Sequence, residues 1–102
     1  MRQFDVVENP DAGTRSYSPW LVVLQSHHLE ALETIFLAPL VSDAARAVTP
    51  IDIPIEFQGR AVVIAIGEAA GVPKSGYNRI VGSVSDQEDA IRRAFERLLG
   101  GF

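Results

Sequence analysis

The sequence predicts a mainly β domain of the α+β class: a small antiparallel, barrel-like sheet capped by one C-terminal helix. Three observations predict it. Residues 49–57 alternate, with Ile51, Ile53, Ile55 and Phe57 on one face and Asp52, Pro54 and Glu56 on the other, the period-two pattern of a half-buried strand. Residues 85–102, SDQEDAIRRAFERLLGGF, instead put Ala90, Ile91, Ala94, Phe95, Leu98 and Leu99 on one stripe of 3.6-residue period, as an amphipathic helix does. Between the start and residue 84, short β-rich runs are separated by clusters of Gly, Pro, Asn, Asp and Ser, which read as turns.

In chain order, residues 3–8 (QFDVVE) form a first strand that stops at the turn cluster Asn9-Pro10-Asp11-Ala12-Gly13. Residues 17–25, holding Trp20-Leu21-Val22-Val23-Leu24, form a second and pair with the first as a hairpin. Residues 26–30 break the pattern. A third strand covers 34–41 (TIFLAPLV), where Pro39 argues for an edge or a bulge because it donates nothing to a ladder. Residues 42–47 give at most a short helical turn. The alternating strand 49–57 then meets the two-residue turn Gln58-Gly59, and residues 60–66 (RAVVIAI) run straight back as its partner. Residues 67–76 carry three glycines and Pro73 and read as a loop. Residues 77–84 (YNRIVGSV) form a last strand leading into the helix.

The helix is well signed. Ser85 and Glu88 have the spacing of a capping box, and Asp86, Glu88 and Asp89 put negative charge at the positive end of the dipole. Arg92, Arg93 and Arg97 put positive charge toward the other end, and Gly100 stands where a C-cap belongs. Fourteen residues give a rod of about 21 Å. The tail Gly100-Gly101-Phe102 ends on an apolar ring. It reads either as a cap whose last residue folds back on the helix, or as a terminus that another protein recognises.

With 102 residues, the chain predicts a single domain over 1–102 with one core. Apolar residues make up 47% and charged ones 22%, an ordinary globular balance. A net charge of −4 argues against a generic phosphate-binding surface. The absence of cysteine excludes disulfides, thiolate catalysis and cysteine-based zinc sites. The start, Met-Arg-Gln-Phe-Asp, does not read as a signal peptide. The longest apolar runs, 35–41 and 61–66, fall far short of the ~20 residues of a membrane helix. The expectation is a soluble, cytoplasmic protein with no membrane contact.

Chemistry-bearing patterns are sparse. His27-His28, with Glu30 and Glu33 nearby, would point to opposite faces of a strand and so form no chelating pair; no metal site is expected. Ser26, His27 and Asp43 could be assembled into a triad on paper, but no serine sits in a nucleophile elbow. Gly67, Gly71 and Gly76 lack the spacing of a phosphate loop. Arg92, Arg93 and Arg97 are accounted for by the dipole and by i,i+4 pairs, Glu88 with Arg92 and Asp89 with Arg93. No direct sequence-specific DNA binding is expected from them. The residues offer no convincing active site and no pattern that calls for a cofactor.

The order of features is more specific than any one of them. A starting Gln-Phe-x-Val strand precedes an aromatic-bearing strand that ends in Val23-Leu24-Gln25-Ser26. Pro39-Leu40 closes the third strand and Pro50 opens the alternating one. The helix segment Asp89-Ala90-Ile91-Arg92-Arg93-Ala94 leads to a Gly-apolar end. In this order, over essentially the whole chain, the sequence resembles the CcdB family, the toxin halves of plasmid and chromosomal toxin–antitoxin modules. The resemblance implies a homodimer, an SH3-like five-stranded antiparallel sheet with a smaller accessory sheet and a C-terminal helix, and no catalysis. Family members poison DNA gyrase by inserting between its two A subunits and trapping the enzyme on cleaved DNA. Their binding depends on the last three residues, typically Trp-Gly-Ile, which fall here on Gly100, Gly101 and Phe102. Leu98 and Leu99 would support the helix end and a dimer seam. A CcdA-like antitoxin would contact the loop holding Asn9, Asp11 and Arg15. The family's tryptophan is Gly100 in this chain, and the pair after Gln-Ser is His27-His28. The alternative implied by those departures is a diverged homodimer that has lost gyrase poisoning and is inactive or binds another partner.

Overall fold

Alternation along the strands decides how this molecule is built. The computed structural model describes residues 1–26, 29, 31–42, 49–77 and 79–100. The expectations placed on His27, His28, Glu30, residues 43–48, Gly101 and Phe102 lie outside the described residues.

Among the described residues seven strands follow in order: β1 (Asp5–Glu8), β2 (Trp20–Val23), β3 (Thr34–Val41), β4 (Asp52–Phe57), β5 (Arg60–Ala65), β6 (Ala70–Pro73) and β7 (Ile80–Ser83), with the helix α1 (Glu88–Gly100) after them. They form one antiparallel sheet whose main path runs β4-β5-β3-β2-β1-β7, with β6 attached to β3 off that path. The six strands read from the sequence are the six of this path, one more than the five that the resemblance implies. The sheet curls into a half-barrel. In-register rows such as Trp20–Leu40–Ile64–Ile53 and Val6–Val22–Ala38 point their side chains to its concave face. That face holds the main core, where Val6, Val22, Ala38, Leu40, Ile64 and Ile66 are fully buried. In β4, Ile53 and Phe57 are buried while Pro54 and Glu56 are exposed, as the period-two pattern requires.

The two ends of the path approach each other. A Cβ added at Gly82 of β7 would lie 2.7 Å from Phe57 Cζ of β4, so only glycine admits that ring. Gln58, in the β4–β5 turn, adds a hydrogen bond from its Nε2 to the Val81 carbonyl at 3.0 Å. Gln58 and Gly59 both take positive φ, 50° and 77°, as a two-residue hairpin turn demands.

A second, smaller core lies on the convex face. Val7, Val23, Ile35 and Leu37 are buried there, with Met1, Leu21, Val72 and Tyr77 packed against them. The central strands β1, β2 and β3 are therefore apolar on both faces. Residues 67–76, expected as a loop, overlap a one-turn 3₁₀ segment (Ile66–Glu68) and contain β6, which pairs Thr34–Leu37 of β3. This branch is what the structure has in place of a separate accessory sheet. The pairing partner, not local propensity, makes Ala-Gly-Val-Pro a strand.

Two local expectations are corrected. Pro39 sits in a central strand, not at an edge or bulge. The bond from Leu24 N–H to the Phe36 carbonyl (2.9 Å) sets the alternation of the β2–β3 ladder, so the Pro39 nitrogen points away from β2. On that other side β5 pairs Leu40 and Val41 while β6 pairs residues 34–37, leaving Pro39 opposite a gap. The capping box does not close either. Residues 85–87 form a 3₁₀ turn with no side-chain cap, Ser83 Oγ accepts from the Ser85 N–H at 3.1 Å, and the Glu88 carboxylate turns to Arg92.

Replacing Gly82 by Ala should cost about 1–3 kcal/mol, as overpacking does, in urea denaturation. Combining it with Phe57→Leu should recover part of that cost, a coupling of at least about 0.5 kcal/mol between touching residues.

Candidate functional site

The apolar stripe of α1 is longer than the core beneath it. Ile91 and Ala94 are buried, and Ala90 and Phe95 pack partly against the same core. One turn further on, Leu98 is 45% exposed and Leu99 83%, and Gly100, still helical, is exposed too. Among the described residues, little packs against Leu99. The helix therefore carries the expected residues Leu98, Leu99 and Gly100 to an unburied apolar tip. Gly101 and Phe102 follow outside the described residues. Arg92 pairs with Glu88 at 3.0 Å on the solvent face, worth only about 0.3–0.5 kcal/mol for an exposed i,i+4 pair.

At the helix foot, Gln3, Phe4, Leu24, Ile91, Arg92, Phe95 and Glu96 line a cavity of about 280 Å³. Phe4 takes a φ of 71°, an outlier for a bulky residue. It is held there because its N–H donates to the Val23 carbonyl (2.6 Å) and its own carbonyl accepts from Val84 (2.9 Å).

The loop between β1 and β2 is rigid by construction. Asn9 is only 5% exposed. Its Nδ2 donates to the Ser18 carbonyl (2.8 Å) and Thr14 Oγ1 (3.0 Å), and its Oδ1 accepts from the Asp11 N–H (3.0 Å). Asp11 in turn accepts from the Gly13 N–H and Thr14 Oγ1, and Arg15 Nε donates to the Asn9 carbonyl at 2.9 Å. Of the three residues expected to meet an antitoxin, Asn9 organises the loop from inside, while Asp11 and Arg15 stand on its exposed surface. Beyond it, Tyr17 Oη donates to the Glu68 carboxylate at 3.2 Å, tying the loop to the 3₁₀ segment. Trp20, read as core or interface, is half-buried. It packs edge-on against Phe57, centroids 5.0 Å apart, with Arg60 over its ring at 5.2 Å.

Among the described residues no three His, Asp or Glu side chains are placed to hold a metal ion, and no helix is long and apolar enough to cross a membrane.

A family model described as CcdB protein matches residues 3–101. No curated protein sequence matches the chain. Solved structures of the same fold include the Mycobacterium tuberculosis toxin MazF-mt6, with a TM-score of 0.72 at 15% identity over 94% of both chains. A MazE–MazF structure from Deinococcus radiodurans gives 0.72 at 15% identity, covering 98% of this chain and 95% of that one. An endoribonuclease in complex with its cognate antitoxin, from a mycobacterial species, gives 0.74 at 13% identity with the same coverage. At these identities the likeness is one of fold.

Asn9→Ala removes three hydrogen bonds from a buried position. It should lower stability by about 1–3 kcal/mol, the usual cost of stranding buried polar partners. Urea denaturation measures the loss, and limited proteolysis should show new cleavage between residues 10 and 17.

Proposed function

The chain belongs to the CcdB family, and from that premise we propose that it is the toxin of a toxin–antitoxin module that acts by binding the DNA gyrase A subunit. The observation that carries this reading is the bare apolar tip of α1, with Leu99 83% exposed immediately before the terminal triplet. Large apolar side chains displayed together on a surface mark an interaction site. In this reading Gly100, Gly101 and Phe102 contact the gyrase A subunits, and Leu98 and Leu99 hold the tip in place and contribute to a homodimer seam. The complex traps gyrase on cleaved DNA in the cytoplasm, without covalent chemistry by the toxin. A cognate antitoxin neutralises it through Asp11, Arg15 and the helix. The shared fold with structures solved as toxin–antitoxin complexes supports that partner.

Gly100 favours a second reading, in which the protein keeps fold and dimer but has left gyrase. A buried tryptophan anchor is worth ~2–4 kcal/mol, or roughly 30- to 1,000-fold in affinity, and here Phe102 must supply the aromatic surface from another backbone position.

Calorimetric titration of the purified protein into the gyrase A-subunit dimer separates the two. The leading reading expects saturable binding that is lost when residues 100–102 are deleted. A folded dimer that gives no heat moves the weight to the second. Because the fold is also that of endoribonucleases, cleavage of RNA by the purified chain would overturn both. Leu99→Asp should weaken gyrase binding about tenfold or more, as loss of an interface anchor does, and should also weaken self-association; calorimetry reads the first and sedimentation the second.

A further inference from the structure

The end of α1 overhangs the sheet. Phe95 is the last of its residues that packs on the core, and Glu96, Arg97, Leu98, Leu99 and Gly100 are all exposed. At the usual rise per residue these make an overhang of about 7.5 Å. A rod held at one end is aimed by its last point of support, which here is Phe95. Ile91 and Ala94 seat the helix, but both lie before Phe95, so neither braces the overhang. A tilt of about 10° at Phe95 would carry the Gly100 end about 1.3 Å sideways, whereas a binding constellation has to be held to about 0.5 Å.

The support of Phe95 is lopsided. On one side it borders the cavity of about 280 Å³ that it shares with Gln3, Phe4, Leu24 and Ile91, which leaves the ring room to shift. Away from that cavity it meets Phe36 of β3, with ring centroids 6.2 Å apart and planes inclined by 39°, inside the range of an aromatic pair. Strand β3 is arranged to offer that ring. Phe36 lies on the concave side with Ala38 and Leu40, and its carbonyl is fixed by the Leu24 N–H at 2.9 Å. Its partner across the β6 ladder is Gly71, which brings no side chain of its own. A Cβ added at Gly71 would meet no atom within 4 Å, so the Phe36 ring stands clear of β6 and is left to the helix.

We propose that Phe36 is a positioning residue for the helix tip: through Phe95 it sets the direction in which α1 presents Leu98, Leu99 and Gly100, and with it the affinity for the gyrase A subunit. Phe36 itself touches no partner. The inference rests on the gyrase reading above for its function and on packing alone for its geometry.

The test compares Phe36→Leu, Phe36→Tyr and Ile35→Val in the full chain, under conditions where every variant is folded. Leucine keeps an apolar side chain without the ring, and tyrosine keeps the ring. Ile35→Val trims the convex core and so lowers stability away from the helix. Two quantities are measured. One is the calorimetric affinity for the gyrase A-subunit dimer. The other is the set of residual dipolar couplings of the N–H groups of residues 96–100, which report the direction of the helix end relative to the strands with no partner present. Phe36→Leu should bind about tenfold more weakly, the scale of one lost interface contact, and its couplings at 96–100 should depart from the parent's while those of β1 to β5 stay. Phe36→Tyr and Ile35→Val should match the parent in both. Unchanged couplings or undiminished gyrase binding in Phe36→Leu would overturn the proposal. So would an equal loss of binding in Ile35→Val, since the effect would then be one of stability. If the parent itself gives no heat with gyrase, the gyrase reading falls and the couplings alone decide whether Phe36 aims the tip.

Discussion

A sheet curled through half a barrel leaves one long apolar face that it cannot cover itself, and the seat of α1 on that face is what the rest of the molecule depends on. Ile91 and Ala94 close over the concave rows formed by β1, β2, β3, β5 and β4, where each large side chain withdrawn from water is worth about 1.5–3 kcal/mol. The small size of Ala94 lets the helix approach closely. The same seat fixes the helix direction, and with it the surfaces on either flank and at the tip. One flank of α1 faces β4 beside Arg93 and Arg97, the other lines the cavity beside Phe4, and the end projects Leu98 and Leu99 past the sheet. Three surfaces are set by one packing contact.

Where a pattern is repeated and local, the sequence states it. Strand β3 has the bounds that TIFLAPLV suggests, the β4–β5 hairpin follows from strict alternation around Gln58-Gly59, and the helix stripe contains the two residues, Ile91 and Ala94, that α1 buries. What is not legible depends on partners distant in sequence. Nothing in Ala70-Gly71-Val72-Pro73 says strand until the unpaired stretch of β3 is beside it. Gly82 looks like a break in a strand until Phe57 is seen lying where its Cβ would be. Ser85 and Glu88 have the right spacing for a cap, but the chain leaves β7 in a 3₁₀ turn and Ser83 supplies the hydroxyl instead.

The site follows the same division. That Leu98 and Leu99 belong to the stripe is plain from the sequence; that the core ends before them is not, because the length of the sheet beneath is a tertiary quantity. Asn9 reads as an ordinary turn residue, yet it is buried and bonded to both sides of its loop. In the sequence, helix electrostatics alone account for the three arginines. For Arg92 that explanation holds. Arg97, in the last turn of α1, fits it as well; for Arg93 the expected pair with Asp89 does not form.

The proline in β3 has a consequence for the identity of the fold itself. With apolar side chains on both faces of its central strands, this sheet lacks the usual guard against misalignment, namely that a one-residue slip would expose a hydrophobic face to water. Pro39 provides a different guard. In the native alignment its missing donor falls where β5 has ended and β6 has not begun. Shift β3 by one residue and the imide nitrogen turns toward β2; shift it by two and it meets a neighbour on the other side. Each misalignment breaks a ladder that the native one leaves whole. A residue that weakens most sheets thus acts here as an alignment key, letting an otherwise ambiguous strand settle in only one place.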